Sequence, residues 1–580
     1  MRPGGPHFSL VRVLLIGFGL AGYFLGWNLP NHYPLWTTFH SEIAAALGSC
    51  LLFLGLLWRS GASEGSSVRG VYRVPMPIAA RIWLLISALP LLQFAAGSLI
   101  FRGDALLGFL YASGVAGTLY AGYLWAQQVG RARALQVTFV VVVLGALAAA
   151  GLALAQWVRL PTPGWWAMDL FGSRPYGNFG QPNLFGLLMV VGIVSATALF
   201  EMRVLSSRFA YYATLLVLGW AMLAGESRAS LLALATTVVC WLLTRRRVPS
   251  RLRLLEVALI SLAGFVVYRS LGSIEDALYL RGLGVRDLTE VSLRRLIWLH
   301  YWAAIVEHPW LGYGFNQGVA ALREVAAHVQ PSRNATYAHN FVLDLMTWVG
   351  IPLGALLTVA LFGWVLSWLG RVESVEWSAQ RHWVAAIWLA LIAQSLLEFP
   401  YTHTFFLLPA ALLAGVITGP PVQQLKGHRA AASRPSLALF AIGTLLLLAL
   451  ASDYLKLEAD FRAYRFERSN FIGRPPLEPV AEPWVLDQFA ALNRSARNPI
   501  RAGMPSEHIE ALAVVAKRFH LLPTRFDYAK ALALNGRMAE AEFELQTLRA
   551  TYDPRVYAQF DRDWRNWLKE NEAAIATGGR

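Results

Sequence analysis

Arg228 stands in a six-residue polar segment, Gly225 to Ser230 (GESRAS), wedged between two apolar stretches. A guanidinium keeps its charge at such a position, and its planar fork binds a phosphate through two N–H groups at once. Held at lipid-headgroup depth, Arg228 would meet a phosphate. The plain alternative is a topological turn in which Glu226 and Arg228 form a surface ion pair of little energetic consequence. A second basic pair, Arg294 and Arg295, opens the run Ser292 to Gln317 (SLRRLIWLHYWAAIVEHPWLGYGFNQ). At helical spacing Arg294, Trp298, Trp302 and Ile305 share one face, expected to lie along a membrane interface or dip into it with the aromatics as anchors. His308-Pro309 and Gly312-Tyr313-Gly314 end that helix. The two arginines are candidates for a diphosphate, or alternatively for anionic lipid headgroups.

Uncharged polar groups gather in Arg174 to Gly186 (RPYGNFGQPNLFG), whose two prolines and three glycines make a turn-rich loop. Asn178, Gln181 and Asn183 offer amide donors and acceptors suited to sugar hydroxyls and carbonyls, although Gln181-Pro182-Asn183 also reads as a simple helix start. His339 lies in Asn334 to Phe341 (NATYAHNF), where a long polar segment meets the next apolar block. Histidine can take up and release a proton near neutral pH. A lone histidine is usually structural, but this one adjoins segments rich in arginine and amides. Asn334-Ala335-Thr336 matches a glycosylation sequon and is read as chance.

These residues need elements to hold them, and composition says which. Of 580 residues, 56% are hydrophobic and 15% charged, against about 45–50% and about 25% in soluble domains. The apolar residues come in blocks of about 15–25, long enough to cross a hydrocarbon core of about 30 Å as helices. Thirteen spans are expected, near 9–27, 40–57, 78–98, 105–126, 134–157, 183–200, 209–224, 229–244, 254–270, 340–368, 382–398, 403–419 and 436–450. Many of the 22 Trp and 20 Tyr fall near block ends, as interfacial belts require. The first block is too long for a signal peptide's apolar region and is read as an uncleaved helix. Cys50 and Cys240 both sit in apolar blocks, so neither a disulfide framework nor a zinc site is expected.

The net charge of +15 does not point to nucleic acid, because the basic residues occupy short loops between apolar blocks. Loops 59–81, 131–133, 201–208, 245–253, 371–381 and 426–434 hold eighteen Lys and Arg. Loops 28–39, 99–104, 158–182, 225–228 and 399–403 hold four. The asymmetry makes the first set cytoplasmic and puts the second set, the 271–339 segment and the C-terminus outside, which in a bacterium is the periplasm. Residues 1–450 are thus expected to form the membrane part and 451–580 a soluble helical domain. In that tail, Leu522 to Pro554 reads as two amphipathic helices joined at Asn535-Gly536, similar to one tetratricopeptide unit. A single such unit cannot bury a solenoid core and needs neighbouring helices to cover it.

The order GESRAS, apolar block, RRR, then LRRLIWLHYWAAIVEHPWLGYG, then HNFVLDLMTWVGIPLG resembles the Wzy/WaaL/PglL superfamily over roughly residues 171–420. Its members are O-antigen polymerases, O-antigen ligases and O-linked protein oligosaccharyltransferases. RPYGNFGQPNLFG and a repeat-like tail resemble the PglL-type branch. The resemblance implies an all-α polytopic inner-membrane enzyme that transfers a glycan from an undecaprenyl-diphosphate carrier, without cofactor, to a Ser or Thr of a pilin-like protein. Arg228 and Arg294 would hold the diphosphate, and His339 would activate or orient the acceptor hydroxyl. Gln181 would match the branch's loop glutamine, and Tyr401, in LEFPYTH, a tyrosine of the same branch. Arg174, Asn178, Asn183 and Arg295 complete the expected substrate-binding set. With no DxD-type acidic pair among the outward motifs, a metal is not required. Lipid A–core and a second glycan are the rival acceptors. A transporter would instead carry charges deep in its spans and inverted repeats with broken helices. A scaffold assembled through the tail would not need Arg228, Arg294 and His339 together.

Overall fold

The computed structural model describes residues 10–58, 70–248, 250–277, 280, 294–326, 328–329, 335–370, 375–418, 428–471, 473, 479–519, 521–552 and 554–577. Asn334 of the sequon lies outside them. Nearly everything described is helical. The membrane-like part contains α1 (Leu10–Asn28), α2 (Phe39–Leu57), α3 (Ile78–Ala95), α4 (Arg102–Val129), α5 (Arg131–Trp157), α6 (Pro182–Glu201), α7 (Arg208–Ala224), α8 (Arg228–Thr244) and α9 (Leu254–Ala277). There follow α10 (Arg294–Glu307), α11 (Gly318–Val325), α12 (Phe341–Ser367), α13 (Val375–Ser395), α14 (Thr404–Ile417) and α15 (Arg434–Arg468). The tail adds α16 (Asp487–Arg497), α17 (Ser506–Arg518), α18 (Leu522–Leu534), α19 (Met538–Thr551), α20 (Pro554–Glu570) and α21 (Glu572–Thr577).

Among the described residues nine helices are long and apolar enough to cross a membrane: α1 to α6, α9, α12 and α15. Three more, α7, α8 and α14, are apolar but shorter. Together with α13, these coincide with the thirteen expected spans. The protein is a multi-pass membrane protein. One feature departs from an all-helical chain: β1 (Gly70–Val74) and β2 (His428–Ala432) pair in parallel, Gly70 opposite His428. These two segments lie more than 350 positions apart, and neither carries an alternating pattern that sequence reading could pick out.

Two compact units divide the chain. The first comprises Met1–Ile86, Tyr111–Glu290 and Leu361–Leu447; the second comprises Ser87–Leu110, Val291–Ala360 and Leu448–Arg580. In the first unit α6 is the most enclosed span, packed by α5, α7, α8 and α13. Pro182 opens it at the first helical turn, where the missing N–H costs nothing. Gly186, one turn on, lets α8 approach. A Cβ there would lie 2.9 Å from the Ser230 Cβ.

In the second unit α12 is broken at Gly350, whose φ of 80° is left-handed and which is followed by Pro352. A Cβ at Gly350 would stand 2.2 Å from the Trp310 carbonyl oxygen, so a side chain is excluded on two counts. The break seats the segment after α10: Tyr313 and Gly314 donate their N–H groups to Thr347 and Trp348 carbonyls at 2.7 and 3.1 Å. Packing divides the expected face of α10. Ile305 is buried with Ile297, Tyr301 and Ala304, whereas Trp302 is half exposed. Both faces are apolar, so periodicity alone could not say which one packs. Further on, α15 continues through residue 450, and α18 and α19 form a hairpin turning at Asn535-Gly536. The hairpin closes on a core of Phe526, Leu532, Ala541, Leu548 and Trp564.

Candidate functional site

In the first unit, a buried glutamine builds the turn-rich loop. Gln156, near the end of α5, donates through Nε2 to the Met168 and Gly177 carbonyls at 2.9 and 2.7 Å. Its Oε1 accepts from the Tyr176 and Gly177 N–H groups at 3.1 and 2.8 Å. One side-chain amide thus pairs four backbone groups that would otherwise be stranded. Asn178 acts the same way. Its Nδ2 donates to Asn28 O at 2.6 Å and Trp166 O at 2.9 Å, and its Oδ1 accepts from Met168 N at 2.9 Å. Both amide N–H groups are spent on backbone and the residue is buried, so in this structure Asn178 holds the loop. The His32 ring donates to the Asn178 carbonyl at 2.6 Å. Burial holds the His32 imidazole below its ordinary value; the Asn178 carbonyl opposes this, and His403 and His40 reinforce it.

Gln181 and Asn183 converge on a carboxylate that sequence reading passed over. Asn183 Nδ2 donates to Glu398 Oε1 at 2.6 Å, and Gln181 Nε2 to Glu398 Oε2 at 3.3 Å. Glu398 is buried, three residues before Tyr401, which sits in a single 3-10 turn, Pro400–Thr402. Arg174 bridges this group to the GESRAS turn, donating from Nε to the Gly225 carbonyl at 2.9 Å and from Nη2 to Asn183 Oδ1 at 3.4 Å. Within that turn Glu226 takes a left-handed φ of 44°, and Ser227 caps α8 by accepting from Ser230 N at 3.2 Å. Arg228 is therefore the first residue of α8, at the end where helical N–H groups are unspent. Ser230 Oγ, with one proton to give, lies 2.8 Å from Ser227 Oγ and 3.4 Å from both Asn183 O and Gln394 Oε1. The expected residues Arg174, Gln181 and Asn183 thus join the GESRAS turn in one hydrogen-bonded cluster, with Tyr401 close in sequence to its acceptor.

A second buried carboxylate supports the same region. Glu42 of α2 accepts from His403 Nδ1 at 2.8 Å and from Thr404 N at 2.6 Å, fixing the start of α14. An acidic residue inside an apolar block was the available signal for Glu42, as was Glu398 at the end of one.

The second unit holds Arg294, Arg295 and His339. Arg294 and Arg295 open the described part of α10, Arg294 half-buried and Arg295 exposed. One turn on, Trp298 Nε1 donates to the Ala338 carbonyl at 2.9 Å. The Ala338 N–H is held by both oxygens of Asp344, each at 3.1 Å. His339 follows with a left-handed φ of 53°, which L side chains rarely adopt. Asn340 Oδ1 then accepts from Val342 N at 3.0 Å, starting α12. A groove of about 480 Å³ adjoins these residues, lined by Arg295, Trp298, Trp302, Asn340 and Leu343 among others. A cation and an amide at an apolar, aromatic-walled groove suit a ligand with both polar and hydrocarbon parts. Among the described residues no three His, Cys, Asp or Glu are grouped as metal ligands would be.

The fold is that of a multi-pass membrane protein with polar clusters at its helix ends, and comparison with known proteins gives its class. A family model described as O-Antigen ligase matches residues 213–358, spanning Arg228, Arg294 and His339. One described as Virulence factor membrane-bound polymerase, C-terminal, matches residues 382–566. The chain is 27% identical over 470 residues to the General O-oligosaccharyltransferase of Acinetobacter baylyi (strain ATCC 33305 / BD413 / ADP1), covering 78% of this chain and 77% of that one. To the ComP-specific O-oligosaccharyltransferase of the same strain it is 24% identical over 252 residues, 43% of this chain and 44% of the other. These matches support the Wzy/WaaL/PglL superfamily and, within it, the PglL-type O-oligosaccharyltransferases.

Proposed function

We propose that this glycosyltransferase moves a preassembled oligosaccharide en bloc from an undecaprenyl-diphosphate carrier to Ser or Thr hydroxyls of a periplasmic protein such as a pilin. The observation that carries the reading is the similarity to a general O-oligosaccharyltransferase along 78% of the chain. The imbalance of eighteen basic loop residues against four supports an inner-membrane protein whose site and C-terminus face the periplasm. Arg228 and Arg294 grip the diphosphate and neutralise the charge that grows on it as it leaves. Arg228 does so at the start of α8, where free helical N–H groups favour an anion.

The acceptor oxygen attacks the anomeric carbon, and the bond from that carbon to the diphosphate oxygen breaks. The acceptor's proton passes to His339, and undecaprenyl diphosphate leaves. A single displacement inverts the anomeric centre. Gln181 and Asn183, anchored on Glu398, face the glycan with their remaining hydrogen-bonding capacity, and Tyr401 lies in the same loop region. Arg174 and Asn178 hold the loop, and Arg295 lines the neighbouring groove.

Purified full-length protein, reconstituted with a lipid-linked glycan, is offered a pilin and lipid A–core in parallel. Glycan on the pilin with inverted configuration supports the proposal. Transfer to lipid A–core alone makes the enzyme an O-antigen ligase, the reading that the first family model favours. A product of retained configuration excludes the single displacement.

A further inference from the structure

We propose that Asp104 and Glu544 are positioning residues of the transfer reaction, each clamping one end of α11, which in turn sets the segments carrying Arg294 and His339. The inference rests on the reading of those two residues given above. Asp104 lies in the first turn of α4 with its carboxylate wholly buried. Arg518, the last residue of α17, meets it fork to fork, Nε to Oδ2 at 2.6 Å and Nη2 to Oδ1 at 2.7 Å. Gln317, which caps α11, donates to the same Oδ2 at 3.3 Å. At the other end of α11, Arg323 pairs with Glu544 of α19. Arg525 of α18, itself wholly buried, takes the second Glu544 oxygen through Nη2 at 2.7 Å and also bonds Thr547.

Between the clamps α11 does the placing. Leu322 packs with Ile297 and Tyr301 of α10 and with Ala335 and Ala338, the last being the residue before His339. Ala321 and Val325 pack with Ala304 of α10. Three of the six buried residues of this eight-residue helix are Gly or Ala, so packing shape alone specifies its register weakly. Buried charge pairs are poor sources of net stability, but a charge left without its partner is strongly disfavoured, so the pairs specify one arrangement. Apolar residues could fill the same space more cheaply without naming that arrangement. Transfer between a held diphosphate and an attacking hydroxyl tolerates little misplacement, since about 1 Å can cost about a hundredfold in rate.

The test uses full-length protein reconstituted with lipid-linked glycan and acceptor, comparing Glu544→Gln, Asp104→Asn and Arg537→Leu. Arg537 pairs with Glu540 on the exposed side of the same hairpin and serves as control. Expected are a fall in kcat of about tenfold or more for the first two, a carrier KM within about threefold of wild type, and no change for Arg537→Leu. Arg323→Lys, which keeps a charge for Glu544, should retain more turnover than Arg323→Leu, a rescue that lost packing alone would not give. Unchanged kcat in folded Glu544→Gln and Asp104→Asn overturns the inference, as does a loss that only follows the fraction of protein folded. His339→Ala and Arg294→Ala run alongside. Transfer retained in those two removes the site reading and this inference with it. Transfer lost there but unchanged in the clamp variants removes the inference alone.

Discussion

Trp298 donates its indole N–H to the carbonyl of Ala338 at 2.9 Å, tying the helix that begins with Arg294 to the residue before His339. Asp344 takes the N–H of the same residue, so both polar groups of Ala338 are held from opposite sides. The left-handed backbone of His339 is over-determined by its neighbours, which is how such strain persists in a folded chain. Trp298→Phe keeps the ring and removes only the donor. It should lower stability by about 1 kcal/mol and turnover by about tenfold. Steady-state transfer and thermal unfolding of the variant check this; wild-type turnover would mean the bond does not set His339.

Gln156→Leu is the sharpest stability test in the first unit. It strands the Tyr176 and Gly177 N–H groups and the Met168 and Gly177 carbonyls, all paired by one amide. At about 1–3 kcal/mol for each buried group left unpaired, the loss should be about 3 kcal/mol or more. Thermal unfolding in detergent measures it, and limited proteolysis should cut first near residues 168–177.

Arg228→Lys and Arg294→Lys keep the charge and lose the two-pronged grip. Turnover should fall about tenfold with lysine and about a hundredfold or more with alanine, provided the arginines hold a diphosphate. Equal rates for arginine and lysine at both positions would argue for a diffuse electrostatic role.

The acid side of the stability profile should report on His32. Its folded-state value lies below the ordinary 6.5, mainly through burial. The unfolded chain therefore binds a proton that the folded chain refuses. His32 contributes stability above about 6.5 that is lost as pH falls from there towards the folded value. His32→Gln keeps a donor for the Asn178 carbonyl and cannot titrate. Its unfolding midpoint should vary less between about pH 5 and pH 7 than that of wild type. Identical slopes would place the acid sensitivity elsewhere.

The sequence alone determined the spans and the polar segments between them. Span length answers to the thickness of hydrocarbon, a local requirement that apolar blocks of about 15–25 residues express directly. The positions of the GESRAS, RPYGNFGQPNLFG and AHNF segments followed, because polar groups among apolar blocks are conspicuous. Only the tertiary structure decided what each polar residue is for. Asn178 and Asn183 look alike in one loop, yet the first is spent on the backbone of Asn28, 150 positions away, and the second on Glu398, 215 positions away. Asp104 and Glu544 gave no motif at all, and each has a far partner, Arg518 at 414 positions and Arg323 at 221. A hydrogen bond is satisfied by geometry and not by neighbourhood in the chain, so which donor meets which acceptor is fixed only when the helices pack.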